Sequence, residues 1–402
     1  MRKLFNLLVV LSFVVCFICL GLAPVAGAKD VKVGAVINLT GPGSSMGQAH
    51  AKGLEDYVRY INKDKGGISG NKINFTLVDH AYKIPEAVKL VKKFCTLDKK
   101  DFIITWDAGS GISIKPVIQR YKIPTFNLSV YQGLLKPPIN YLFIITGTYA
   151  MDAVAIMEYI FNIHKGSGPP KVGLLGFNNT FGKAIHGKSK EYAAKHNMNI
   201  VSIEEFPPRT VDLNTELLRL KNKGAEYIFI QATPGAIILA LKSADRIKYN
   251  VPFIGTVTST DPTFFNRAKG LIRDRFFMSF CGGLPSDGTP GVKLMMKLGK
   301  KYRGYDKFDN SYWFGISMGM IMEKAFHKAL NKFGKLNSKT INDALESFRN
   351  EDFGGLLPNM TYTKTNHRPS YTARIVKVNE GGTYTPVTSF WAPGKEKVTI
   401  LR

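Results

Sequence analysis

The chain has 402 residues, more than one ordinary hydrophobic core serves, so two lobes with separate buried sheets are expected. Hydrophobic residues make up 45% of it, which excludes a disordered chain and confines any membrane segment to a local stretch. The net charge is +25, or +23 once Arg2 and Lys3 are set aside, and such a balance raises nucleic acid or anionic lipid as partners. The basic residues, however, are spread along KLVKKF, LRLKNK and KLGKKYR opposite apolar positions, so they read as solvated helix faces and no nucleic-acid partner is expected.

Arg2 and Lys3 precede an uncharged apolar run from Leu4 to Ala23, and small residues follow at Ala26 and Ala28. These are the parts of a secretory signal peptide, residues 1–28, with cleavage after Ala28; an uncleaved anchor is the alternative. Val15 and Ile18 stand before Cys16 and Cys19 and are bulkier than lipid attachment wants. Cys95 and Cys281 remain in the mature chain, expected as free buried thiols, with a bridge as the minor alternative.

KVGAVINL reads as a strand, and Ala51, Leu54, Val58 and Ile61 then recur at helical spacing. INFTLVDHA is a second strand, and Pro85 suits the start of the helix that follows. FIITWDAG is a third strand, SIKPVIQRY a short helix and IPTFNLSV a fourth strand. Alternating strands and helices with near-continuous apolar strands predict a parallel sheet covered on both faces. The pattern restarts after YLFIIT, with a helix near 150–164, then VGLLGFN, a helix around 181–196, NIVSIEEF, YIFIQA, PFIGTV and RFFMSFC with helices between. After Cys281, GGLPSDGTPG is linker-like; helices are expected near 292–302, 311–331 and 338–348, and the alternating tail reads as strands at a sheet margin.

Enzyme motifs are sparse. TGPGSSMGQ has no lysine for a phosphate loop, and Gly41, Gly43 and Gly47 have the wrong spacing for a dinucleotide fingerprint. No metal-ligand spacing occurs among the histidines or mature cysteines, so neither metal nor cofactor is expected; His80 reads as an exposed loop residue. GISMG, residues 315–319, fits G-x-S-x-G with Ser317 as nucleophile, and Asp343 or Asp352 with His367 would complete a triad in order. The surrounding pattern is helical, which favours close packing, but a secreted serine hydrolase stays open as an alternative.

In an open parallel sheet, ligands bind beyond the carboxyl ends of the strands. Those ends are NLTGPGSSMG, DHAYK, TWDAGSGIS, FNLSVYQG, GFNNTFG, QATPG and GTVTSTD. Short hydroxyls and helix-start amides there can hold a carboxylate without a positive side chain. Met46 lies at the cleft mouth, and Trp106, Tyr82, Tyr131, Tyr149 and Phe181 are candidate flat walls.

These strand ends resemble the periplasmic solute-binding proteins of the branched-chain amino acid (leucine-binding) class, which serve ABC-type uptake. The carriers are VKVGAVINLTGPGSSMGQAHAKGLEDYVRYINKDKGGISGNKINFTLVDHAY, WDAGSG, NLSVYQG and GFNNTFGKA. The resemblance implies the type I α/β fold: two Rossmann-like lobes with parallel sheets joined by a three-crossover hinge. It implies lobe one at 29–147 plus 283–369 and lobe two at 148–282 plus 370–402. It places the carboxylate grip at Ala108, Gly109, Ser110 and Gly111 and at Ser129 and Tyr131, with Phe181, Ala232 and Val257 as lobe-two contacts. The family's small disulfide has Tyr82 and Ala108 at its positions here, and its ammonium-binding glutamate falls near Val257, with Asp261 nearby. That favours a carboxylate lacking an amino group, an aromatic or branched acid, over a branched-chain amino acid. The expected protein is a monomeric, non-enzymatic periplasmic binder that delivers its ligand to a membrane permease; a sensing subunit of the same fold is the other alternative.

Overall fold

The computed structural model describes residues 30–137, 141–369 and 371–401, so the expected signal peptide lies outside the described residues. Strand β1 (Val31–Ile37) is buried at every position but Lys32. Helix α1 (Ser44–Arg59) follows at once, through Gly43 in the left-handed region at φ 76. A Cβ on Gly47 would stand 1.9 Å from the Asn38 carbonyl oxygen, so only glycine lets the helix start so close to the strand it leaves. The Gly- and Ser-rich stretch is therefore a tight strand-to-helix turn.

Lobe one continues with β2 (Ile73–Asp79), α2 (Ile84–Thr96), β3 (Phe102–Thr105), α3 (Ala108–Tyr121), β4 (Thr125–Asn127) and β5 (Leu142–Ile144). Its five strands pair in the order β2-β1-β3-β4-β5, parallel throughout. The chain then crosses into lobe two: α4 (Tyr149–Ile163), β6 (Lys171–Phe177), α5 (His186–Lys195), β7 (Asn199–Phe206), α6 (Asn214–Asn222), β8 (Tyr227–Gln231), α7 (Pro234–Arg246), β9 (Phe253–Gly255), α8 (Phe264–Arg267) and β10 (Phe276–Phe280). It returns through α9 (Pro290–Arg303), α10 (Asn310–Phe333) and α11 (Ser338–Glu346), with α9 and α10 against α1. A last crossing lays β11 (Arg374–Val378) and β12 (Tyr384–Pro386) antiparallel on the second sheet, ordered β12-β11-β10-β9-β8-β6-β7. Both sheets carry the nearly continuous apolar strands that two-sided cover requires.

Several expectations need correction. Residues 108–111 are not the end of the third strand: they form the first turn of α3, because the Asp107 carboxylate accepts from the Ser110 amide as an N-cap. The helix expected over 181–196 opens as a single tighter turn (Gly182–Ile185), and the short α8 had no periodic signal. His80 is fully buried rather than exposed.

Ser317 does not sit on an elbow. It lies buried in mid-helix on α10, with no strand before it. A Cβ on Gly315 would stand 2.1 Å from the His50 carbonyl, and one on Gly319 2.5 Å from Tyr57, so the glycines let α10 press against α1. His367 instead reaches the Leu142 carbonyl and faces Glu346. Cys95 and Cys281 are unpaired and buried. Among the described residues no helix is long and apolar enough to cross a membrane, and no group of three His, Cys, Asp or Glu is placed to hold a metal ion.

Candidate functional site

The carboxyl ends of both sheets face one cavity, whose empty space is about 380 Å³. Lobe one supplies Met46 and His50 from α1, Tyr82 after β2, Trp106, Asp107 and Ala108 after β3, and Leu128 and Ser129 after β4. Tyr149 stands at the crossing, and lobe two supplies Phe181, Thr233 and Thr258. That space includes the open solvent at its mouth; the room left to the centre of a water molecule is only about 30 Å³.

The lobes touch around it. The Ser45 hydroxyl donates to the Asp261 carboxylate, the Gln132 side-chain amide to the Ala184 carbonyl at 2.8 Å, and the Asn179 amide reaches the Tyr82 hydroxyl at 3.5 Å. The chain is thus closed over the cavity.

Lobe one builds its face with care. The Asp79 carboxylate accepts from the amides of Leu39 and Ala81 and from the Thr40 hydroxyl, tying the end of β1 to that of β2. Burial would raise its pKa, but these hydrogen bonds outweigh burial and lower it. Beyond it Ala81 and Tyr82 both take left-handed backbone, φ 50 and 58, which costs free energy for residues with a Cβ. The turn sets the Tyr82 ring edge-on to Trp106, centroids 5.9 Å apart. Burial and the Asp107 charge raise the Tyr82 pKa. On the other side Tyr149 meets Phe181 edge-on at 5.3 Å, and burial pushes the Tyr149 hydroxyl up to about 12. Four aromatic rings therefore wall a space with hydroxyls at Ser129, Thr233 and Thr258.

Two polar groups stand out. The indole N–H of Trp106 donates to His50 Nδ1 at 3.0 Å. Burial lowers the His50 pKa to about 3, so the ring is neutral and its proton sits on Nε2, which has no partner. Asp107 Oδ1 is taken by the Ser110 amide at 2.8 Å, while its buried Oδ2 has no hydrogen bond.

Of the residues expected at the site, Met46, Tyr82, Trp106, Ala108, Ser129, Tyr149 and Phe181 line the cavity. Gly109, Ser110 and Gly111 sit behind it within α3; a Cβ on Gly111 would run into Asn127 and Leu134. The Ser129 amide is occupied internally by Asn127 and the Trp106 carbonyl, and its hydroxyl reaches the Tyr149 hydroxyl at 3.5 Å. Tyr131 is turned to Gly133, and Ala232 and Val257 are buried one residue away from the lining Thr233 and Thr258. The Val257 carbonyl instead accepts from the Asn310 side chain at the hinge. His50, Asp107, Leu128, Thr233 and Thr258 were not anticipated. Helical spacing would have found His50, four residues after Met46 on the same helix face.

A family model described as periplasmic binding protein matches residues 30–383. The chain is similar to Leu/Ile/Val-binding protein homolog 7 of Brucella suis, 24% identical with 81% of this chain and 83% of that one covered. It is 26% identical to homolog 8 of Brucella abortus, with 76% and 77% covered. Among solved structures it resembles a branched chain amino acid ABC transporter protein from Thermus thermophilus with bound valine, TM-score 0.82, 24% identity, with 92% and 98% covered. It also resembles a fatty acid ABC transporter substrate-binding protein from Thermomonospora curvata, TM-score 0.83, 20% identity, with 92% and 95% covered. With a two-lobed fold, a cavity between the lobes and a family match along nearly its whole described length, the chain belongs to the periplasmic binding protein family.

Proposed function

We propose that this chain is the extracytoplasmic substrate-binding component of an ABC-type uptake system. It is exported by a leader cleaved near Ala28, acts as a monomer, and hands its ligand to a membrane permease. The observation that carries this reading is the aromatic cavity shared between two lobes that also touch each other through Ser45–Asp261 and Gln132–Ala184. A solute docks on the exposed lobe-one face, the lobes rotate about the three crossings, and closure removes it from water. The same fold in relatives named for Leu/Ile/Val binding, branched-chain amino acids and fatty acids supports a small amphiphilic organic ligand.

The ligand's apolar body packs against Trp106, Tyr82, Tyr149 and Phe181. A carboxylate on it would be received by the His50 Nε2–H and the hydroxyls of Ser129, Thr233 and Thr258. No catalytic role is proposed, since Ser317 is sealed within α10. Calorimetric titration with amino acids, aromatic acids and short fatty acids, paired with small-angle scattering, tests the reading. Saturable binding with a smaller radius of gyration is expected; ester turnover that Ser317→Ala abolishes would replace solute capture with hydrolysis.

A further inference from the structure

The chain carries 55 Lys and Arg residues against 30 Asp and Glu, yet no lysine or arginine lines this cavity. Its lining includes one carboxylate, that of Asp107, whose side chain is 11% exposed. Oδ2 is buried without a hydrogen bond. Its nearest basic neighbour is His80, whose Nε2 is 3.8 Å away, beyond hydrogen-bond reach. His80 is itself fully buried, and burial lowers its pKa against the opposing pull of Asp107 and Asp79. His50 is neutral for the same reason.

A buried carboxylate oxygen without a donor is costly, and Asp107 belongs to the cavity lining, so a ligand entering the cleft can supply one. A ligand anion placed in the same small space would meet Asp107 with no compensating cation, and the low dielectric of a closed cleft magnifies that repulsion. The helix N-terminus that could have attracted an anion is already capped by Asp107 itself. The surrounding rings of Trp106, Tyr82, Tyr149 and Phe181 favour a cation among them.

We propose that the cleft selects a ligand carrying a protonated amine, which donates to the Asp107 carboxylate within the aromatic wall. This rests on the solute-binding reading above and names the end of the ligand that reading left open. The amine is the required group. A carboxylate on the same molecule is optional and meets the His50 Nε2–H.

The test uses matched probes: phenethylamine, phenylalanine and phenylpropionate, and isoamylamine, leucine and isocaproate. Each is titrated calorimetrically into the mature protein and into Asp107→Asn, where the amide oxygen still caps α3. Asp107→Ser is the second variant, a good cap with no charge. The amine-bearing members of at least one series should bind, and both variants should weaken them tenfold or more while the thermal midpoint of the free protein holds or rises. Binding by the acids alone, or amine binding unchanged in both variants, overturns the amine assignment and leaves solute capture standing. Binding by no member of either series overturns the assignment and counts against solute capture as well.

Discussion

The two faces of the cleft use the same kind of strand end but different chemistry. Lobe one brings a carboxylate, an imidazole, a serine hydroxyl and a tyrosine held in left-handed backbone. Lobe two brings the Phe181 ring and two threonine hydroxyls, none of them charged. The difference points to an order of events: the strained, charged face defines which solute docks, and the neutral face closes over it. A face that only closes needs shape and a dry surface, and its loops tolerate ordinary backbone.

Trp106→Ala is the harshest way to break this asymmetry. The ring is almost fully buried, accepts Tyr82 edge-on and holds His50 in its tautomer. Its loss should cost roughly 3–5 kcal/mol in chemical denaturation and abolish solute binding. Phe181→Ala, in the half-buried lobe-two position, should leave most of the stability and reduce affinity about tenfold. Equal destabilisation by the two would erase the distinction between the faces.

The hinge gives a pH signature of somewhat smaller size. Burial raises Asp309 to about 7 and Asp152 to about 6, and hydrogen bonds only partly offset it. In each case the folded pKa lies above the unfolded one, so the folded state holds the proton more tightly. Stability from these two groups is present below pH 4 and is lost as pH rises through 6 to 7. Asp309→Asn should therefore gain on the wild type by on the order of 2–4 kcal/mol between pH 4 and pH 8 in thermal melts. A difference that does not change with pH contradicts a protonated Asp309.

Ser45→Ala probes the lobe contact. It removes the hydroxyl that donates to Asp261, so the open state gains and solute affinity should fall severalfold, with the fold's stability nearly unchanged. Scattering should show a larger radius of gyration without ligand. Smallest of all is Ser317→Ala: the buried hydroxyl lacks a partner, so its removal should shift stability by less than about 1 kcal/mol and leave binding alone.

Most of the fold was legible because its signals are local and repeated. Strands such as NIVSIEEF coincide with β7 residue for residue, and Pro85 marks the start of α2 as its fixed φ requires. The cavity was legible only where strand ends alone decide it, as at Tyr82, Trp106, Ser129 and Phe181. Thr233 and Thr258 were missed by one residue, because alternation at a strand end decides which of two neighbours points inward. Asp107 was read as the end of the third strand. Its position before a helix whose first turn holds two glycines hid the capping pattern, and with it the one carboxylate in the lining. His80 was misjudged because its burial comes from Trp106 and Asp107 beyond strand β3, which no local pattern records.

The central claim is that the two lobes enclose a small solute in the Trp106 cavity. A thermal-shift screen of small amines, amino acids and carboxylic acids, run in parallel on the wild type and Trp106→Ala, tests it most directly. At least one chemical class should raise the wild-type midpoint and leave the variant unmoved. A wild type that no solute stabilises, or a shift that persists undiminished in Trp106→Ala, contradicts the account.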